Sequence, residues 1–83
     1  MRRIKQRGGF VLCVQAEVDS DLLARKVYQV LPDPKAAAEG FLRVIDESGE
    51  DYLYPAEFFV PIELPQAAKR RLTQATEALA PAA

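Results

Sequence analysis

Asp46-Glu-Ser-Gly-Glu-Asp51 places four carboxylates in six residues around a Ser-Gly pair. Such a cluster could do three kinds of chemistry. It could hold a hard divalent cation, which takes about six to eight oxygens. It could supply a general acid and base, if burial in a cleft raised one carboxyl. It could present negative charge to a basic partner. The spacing fits a calcium loop poorly. An EF-hand loop wants Gly at its sixth position; counted from Asp46 the Gly is fourth, although Glu57 does fall twelfth. The catalytic reading lacks helpers, because the chain has no His, one Cys and no Gly-rich phosphate loop. No enzyme, cofactor or metal is expected. The plainest expectation is a solvated hairpin tip whose carboxylates accept bonds from the turn's own N–H groups.

A hairpin must carry that tip. Phe41–Asp46 and Asp51–Tyr54 read as its two strands, and Pro55 ends the second. With Ser48-Gly49 as a two-residue turn, Ile45 faces Tyr52, Val44 faces Leu53 and Arg43 faces Tyr54. Alternation then places Tyr52 and Tyr54 with Ile45 and Arg43, and Val44 with Leu53 on the core side. The same register sets Glu47 against Glu50 and Asp46 against Asp51, which costs a few tenths of a kcal/mol per solvated pair. Tyr28, Tyr52 and Tyr54 could form an exposed aromatic patch beside the tip; the competing reading is ordinary half-buried sheet packing.

The other elements follow from their punctuation. Phe10–Val14 is an apolar run of strand length, and its Cys13 reads as a buried small hydrophobe. Ser20–Leu31 has helix-like spacing, but its second half is built from β-formers and Pro32 disfavours a helical Leu31. A turn over 20–24 and a strand over 26–31 are expected. Asp33 as N-cap, Pro34 as first residue and Gly40 as stop define a short helix. Ala56-Glu-Phe58 is a tight turn. Phe59–Glu63 is a last strand, irregular or at an edge because Pro61 cannot donate. From Pro65 the spacing of Ala68, Leu72, Ala75 and Leu79 predicts a helix to about residue 79.

Charge is unevenly spread over the 83 residues. Residues 1–7 carry four basic groups, Arg2, Arg3, Lys5 and Arg7, and no acid. Residues 8–63 carry eleven acids against four bases, and the whole chain stands at −1. The acidic body repels phosphate. Nucleic acid could still be met through the basic arm; the plainer reading of the arm is a solvated terminus. No apolar run approaches the ~18–20 residues that cross a bilayer. No membrane partner and a cytoplasmic location are expected.

Two resemblances bear on the fold. The order strand, Pro55, Ala56, Glu57, Phe58, strand resembles the end of an SH3 domain. There a strand runs into Pro, two small or polar residues, an aromatic and a short last strand. That resemblance implies a small barrel, and it covers about fifty residues. The proline-peptide function of that family leans on a Trp and a Tyr-rich first strand, and this chain has neither. The segments KVYQVLPD, GFLRVIDESGEDYLYP and FFVPIELP are similar to a family of short uncharacterised bacterial proteins. In that family a Lys-x-Tyr strand ends in Leu-Pro-Asp, and the long central string follows a Gly. This resemblance spans residues 26–65 and implies no activity.

The fold expected is therefore mainly β: a small five-stranded SH3-like β-barrel over residues 10–63, with a short inserted helix and a C-terminal helix. A basic arm covers residues 1–9, and the helix and tail cover 64–83. The alternative is an α+β domain with Ser20–Leu31 helical. The expected core is Val11, Cys13, Val27, Leu31, Leu42, Val44, Leu53 and Val60. The expected function is a non-catalytic protein-binding module. Its candidate surface is Tyr28, Asp46, Glu47, Glu50, Asp51, Tyr52 and Tyr54. A nucleic-acid-associated protein using Arg2, Arg3, Lys5 and Arg7, and a divalent-cation binder at the tip, are the alternatives. The C-terminal helix could dock on the sheet or make a homodimer.

Overall fold

The computed structural model describes residues 9–79. The expected arm, with Arg2, Arg3, Lys5 and Arg7, lies outside them. The described residues form one antiparallel sheet of β1 (Gly9–Cys13), β2 (Val27–Leu31), β3 (Phe41–Ile45), β4 (Asp51–Pro55) and β5 (Phe59–Ile62). The order across the sheet is β4-β3-β2-β1-β5. Two helices, α1 (Pro34–Ala38) and α2 (Gln66–Leu79), and a 3₁₀ turn at Ala56–Phe58 complete it. All five strands of the expected barrel are there, but no strand pairing joins β4 to β5, and the ladder is open. No helix among the described residues is long and apolar enough to cross a membrane.

Local chemistry sets these elements as expected. The Asp33 carboxylate accepts the Ala36 N–H at 3.0 Å and Pro34 opens α1. Gly40, at φ +88°, ends it in a conformation that favours glycine. The segment after Ser20 is a turn and then β2, not a helix. Arg25 takes φ +76° there and its N–H reaches the Cys13 carbonyl at 2.7 Å, locking the turn to the end of β1.

Pairing and alternation assign two faces. One carries Val11, Cys13, Tyr28, Val44 and Phe59, which with Leu22 and Phe58 form the buried core; Ala16, Val30, Leu42 and Tyr54 pack against it. The other face carries Phe10, Leu12, Gln29, Leu31, Arg43, Ile45, Leu53 and Val60 by register. Phe10 is buried on that side, and α2 lies against β2. On α2 the half-buried residues are Ala68, Leu72, Thr73 and Thr76, while Ala75 is exposed. The buried stripe is thus turned by one residue from the expected one, and the Thr76 hydroxyl is held to the Leu72 carbonyl at 3.0 Å.

The core differs from expectation at three strands. On β2, Tyr28 and Val30 take the inward places, and Val27 and Leu31, both expected inside, stand on the other face. Leu53 and Val60 are 45% and 46% exposed. For Leu53 the cause is the hairpin register. Val44 pairs with Tyr52 and Arg43 with Leu53, one residue off the expected pairing. A one-residue slip moves every side chain of a strand to the other face. The turn explains the slip. Gly49 N–H donates to the Asp46 carbonyl at 3.0 Å and Asp46 N–H to the Glu50 carbonyl at 3.1 Å. The loop is therefore Glu47-Ser48-Gly49, with Gly49 at φ +87°. That is a type I turn closed by a left-handed glycine, the common three-residue hairpin loop. Val60 sits opposite Leu12 on the outer face, because Phe59 takes the inward place opposite Cys13.

Candidate functional site: the acidic tip and the β4 edge

The tip is not a set of free carboxylates. Asp46 is 1% exposed. One of its oxygens accepts the Ser48 N–H at 3.0 Å and the Ser48 hydroxyl at 2.6 Å. The other accepts the Tyr54 hydroxyl at 2.6 Å. Glu47 accepts the Tyr28 hydroxyl at 2.5 Å and pairs with Lys26 at 3.0 Å. Glu50 accepts the Tyr52 hydroxyl at 3.0 Å. Asp51 pairs with Arg43 at 3.0 Å, and the same guanidinium reaches Asp33 at 2.8 Å. The expected like-charge pairs do not occur, because the register sets Asp51 opposite Ile45 and leaves Glu47 in the loop. Asp46 and Glu50 stand opposite instead, and accept the hydroxyls of Tyr54 and Tyr52. The expected solvated tip is corrected at Asp46, where burial is tolerated because three donors satisfy the charge.

The electrostatics follow from these contacts. Burial, then the bond to Glu47, pushes the Tyr28 phenol above its usual range. Burial, then the bond to Asp46, does the same to Tyr54. Both phenols are fixed donors. The Tyr28 hydroxyl holds the Glu47 carboxyl below its ordinary value, and Lys26 adds to this. The Ala36 N–H, then Arg43, lowers Asp33.

A backbone bond ties the tip to the loop before β2: Glu47 N–H donates to the Asp21 carbonyl at 2.9 Å. Tyr28 extends that link, since its hydroxyl accepts the Leu23 N–H at 2.9 Å. Asp21 stands close enough for its charge to act on both Tyr52 and Tyr54.

The seven candidate residues thus divide into two groups. Tyr28 (6% exposed), Asp46, Glu47 and Tyr54 form two tyrosine–carboxylate locks that fix the tip to β2 and β4. Glu50, Asp51 and Tyr52 face solvent, with Tyr52 49% exposed. Leu53, absent from the candidate surface and expected in the core, stands beside Tyr52 with its side chain on the opposite face of β4. The register would have revealed it, and the signal was Asp46 at the first and Gly49 at the fourth position of a type I turn, which favours the three-residue loop over Ser48-Gly49 as a two-residue turn. The Asp33–Arg43–Asp51 fork was likewise hidden, since its members come from three separate elements. On that side Asp33, Lys35, Ala36, Glu39, Arg43 and Leu53 line a shallow open groove of about 300 Å³.

The bonds of the tip are directed into the chain itself. A general acid needs a transferable proton facing a substrate cleft. Here the buried carboxylate is saturated with bonds from its own chain, and both buried phenols donate inward. Among the described residues no three His, Cys, Asp or Glu side chains converge as a metal site requires. Among the described residues β4 is paired with β3 on one side alone. It shows Tyr52, Leu53 and the Glu50 and Asp51 carboxylates. No family model, no curated protein and no solved structure matches the chain.

Proposed function

We propose that this chain is a non-catalytic protein-binding module whose contact surface is the free edge of β4. Tyr52 and Leu53 are its apolar anchors, and Glu50 and Asp51 its flanking charges. The observation that supports this is the pairing of β4 with β3 alone, while its two central side chains are about half exposed. Edge strands carry unpaired N–H and C=O groups, and recognition by strand addition uses them. Tyr28, Asp46, Glu47 and Tyr54 hold that surface in place. We further propose that the sheet is an SH3-like barrel in topology, and that the chain is kin to the short bacterial proteins sharing the Lys-x-Tyr and Arg-Val-Ile-Asp-Glu-Ser-Gly-Glu-Asp-Tyr strings.

The test is capture from the host's lysate by wild-type protein and by a Tyr52→Ala/Leu53→Ala variant, each with and without nuclease. A protein captured after nuclease by wild type and lost with the variant supports the reading. Full retention by a folded variant removes the β4 edge as the surface. Capture that disappears with nuclease instead moves the function to nucleic acid and to Arg2, Arg3, Lys5 and Arg7.

A further inference from the structure

The sheet has two edges, and their backbone donors differ. Asp46 N–H to the Glu50 carbonyl and Ala56 N–H to the Gly40 carbonyl set the phase of the β3–β4 ladder. By antiparallel alternation Glu50, Tyr52 and Tyr54 bond inward to β3. Asp51 and Leu53 then direct both N–H and C=O outward, and Pro55 directs its carbonyl. At the other edge Val14 N–H donates to the Phe58 carbonyl. Val60 and Ile62 therefore bond inward to β1, and Phe59 and Pro61 face out. Pro61 has no N–H, so the middle of that edge lacks a donor. Of the two edges, β4 is the one built to accept a strand.

Its surroundings specify what strand. Asp51 opens β4, Glu50 precedes it, and Glu47 and Asp21 are joined by a backbone bond beside it, four acids against the two bases Lys26 and Arg43 that pair among them. An occupant should be extended and basic. This chain contains such a segment: Arg2-Arg-Ile-Lys-Gln-Arg7 holds four bases in six residues, with Arg3, Lys5 and Arg7 on one side of a strand. The segment is drawn to the body by charge, since residues 8–63 hold eleven acids against four bases.

Reach decides whose arm it is. The pairs Gly9–Val30, Val30–Val44 and Val44–Tyr52 place Gly9 in the same row as Tyr52, three strand spacings away. To lie beyond β4 the arm must cross four spacings, ~19 Å over the sheet. Arg7 is two residues from Gly9, and two residues span at most about 7 Å. Within one chain the crossing would use up most of residues 2–7. An arm from another molecule makes no such crossing.

We infer that residues 2–7 of one chain add to the free edge of β4 in a second copy. Exchange in both directions closes a two-fold dimer. The inference rests on the same open edge as the proposed function.

The experiment is sedimentation equilibrium of the full chain over a concentration series at low and high salt, with amide exchange followed by NMR. The expected result is a mass rising toward the dimer with concentration and falling back in high salt. The Asp51 and Leu53 N–H groups should gain protection in step with the dimer. The Arg3→Glu/Lys5→Glu/Arg7→Glu variant should weaken the dimer about tenfold or more. Leu53→Pro, which removes an outward N–H and no β3 bond, should abolish it. A monomer at every concentration overturns the inference, as does a dimer whose Asp51 and Leu53 amides exchange freely. Protection that does not change on dilution overturns it too, because it assigns the edge to the chain's own arm. If the wild type is monomeric yet Tyr52 and Leu53 still capture another protein, this inference fails and the proposed function stands.

Discussion

The two edge strands expose apolar residues to the same degree, Leu53 at 45% on β4 and Val60 at 46% on β5, yet they are held and guarded by different means. β5 is fixed from inside. Phe58 and Phe59 are buried in the core, and the Phe59 ring meets Tyr54 edge-on at 6.3 Å. Its outer rim is guarded by Pro61. β4 is fixed by polar contacts as well, through Tyr54 on Asp46 and Asp51 on Arg43, and among the described residues its rim has unpaired donors at Asp51 and Leu53. Exposure by itself therefore does not tell the two edges apart. The position of a single proline relative to the ladder phase does.

The largest test of this comparison is on the β5 side. Phe59→Ala removes a buried aromatic from the core and should cost about 3–5 kcal/mol in chemical denaturation. Amide exchange should accelerate in all five strands, since both β5 and Tyr54 lose a packing partner. A loss confined to β5 would break the picture of a shared core. Asp46→Ala comes next. It leaves the Tyr54 hydroxyl and the Ser48 groups without their acceptor, with an expected cost of about 2–3 kcal/mol. Here exchange should rise first in β3 and β4 and least in β1 and β5. Uniform acceleration would show that the lock stabilises the whole sheet rather than one edge.

Much of this frame was legible in sequence, and the part that was not has a physical cause. The strands, the capped α1 and the turn after Pro55 follow from β-formers, Asp33-Pro34 and Gly40, which act locally. Cys13 and Val44 were expected inside and are fully buried. The hairpin register was legible only in part: Asp46 and Gly49 fit the first and fourth positions of a type I turn, while a two-residue turn would put Ser48 at φ > 0. The three-residue loop sets the Asp46 carboxylate on the core face, where the hydroxyl of Tyr54, eight residues away, meets it. The slip then exchanged Leu53 for Tyr54 at the core. Gln29 is a second case. Its amide oxygen is buried without a partner on the face beneath α2, and the pattern Val27-Tyr-Gln-Val-Leu31 gave no sign of it. Of the seven candidate residues, Tyr28, Asp46, Glu47 and Tyr54 bond to one another within the fold, and Glu50, Asp51 and Tyr52 are exposed.

The pH dependence sharpens the polar side of the comparison. The Tyr28 hydroxyl and Lys26 hold Glu47 below its ordinary value of 4.5. A carboxyl depressed on folding adds stability above its unfolded value, and that stability is lost as pH falls through the folded one. Unfolding curves should therefore show the wild type weakening in acid below about pH 4.5. Glu47→Gln should be less stable at neutral pH and flatter across that window. Tyr28 and Tyr54 run the other way. Their phenols are raised, so their contribution is complete below the ordinary value of 10.0 and declines as pH climbs above it. β5, held by Phe58 and Phe59, should contribute to neither limb. A profile that is unchanged in Glu47→Gln would remove the lock as the source of the acid limb.

The smallest expected change in stability comes from Pro61→Thr, and it bears on the guard. Pro61 lies opposite Val11 in a pair that exchanges no ladder bond, so a threonine there costs β1 nothing. Thr suits a strand and should shift stability by no more than about 1 kcal/mol. What it adds is the missing outward N–H, beside the exposed Val60. The β5 edge then acquires an outward donor like those of the β4 edge, and the variant should form species larger than the wild type does at the same concentration in light scattering. If it stays as inert as before, the proline is not the guard, and the difference between the edges must lie in the carboxylates flanking β4.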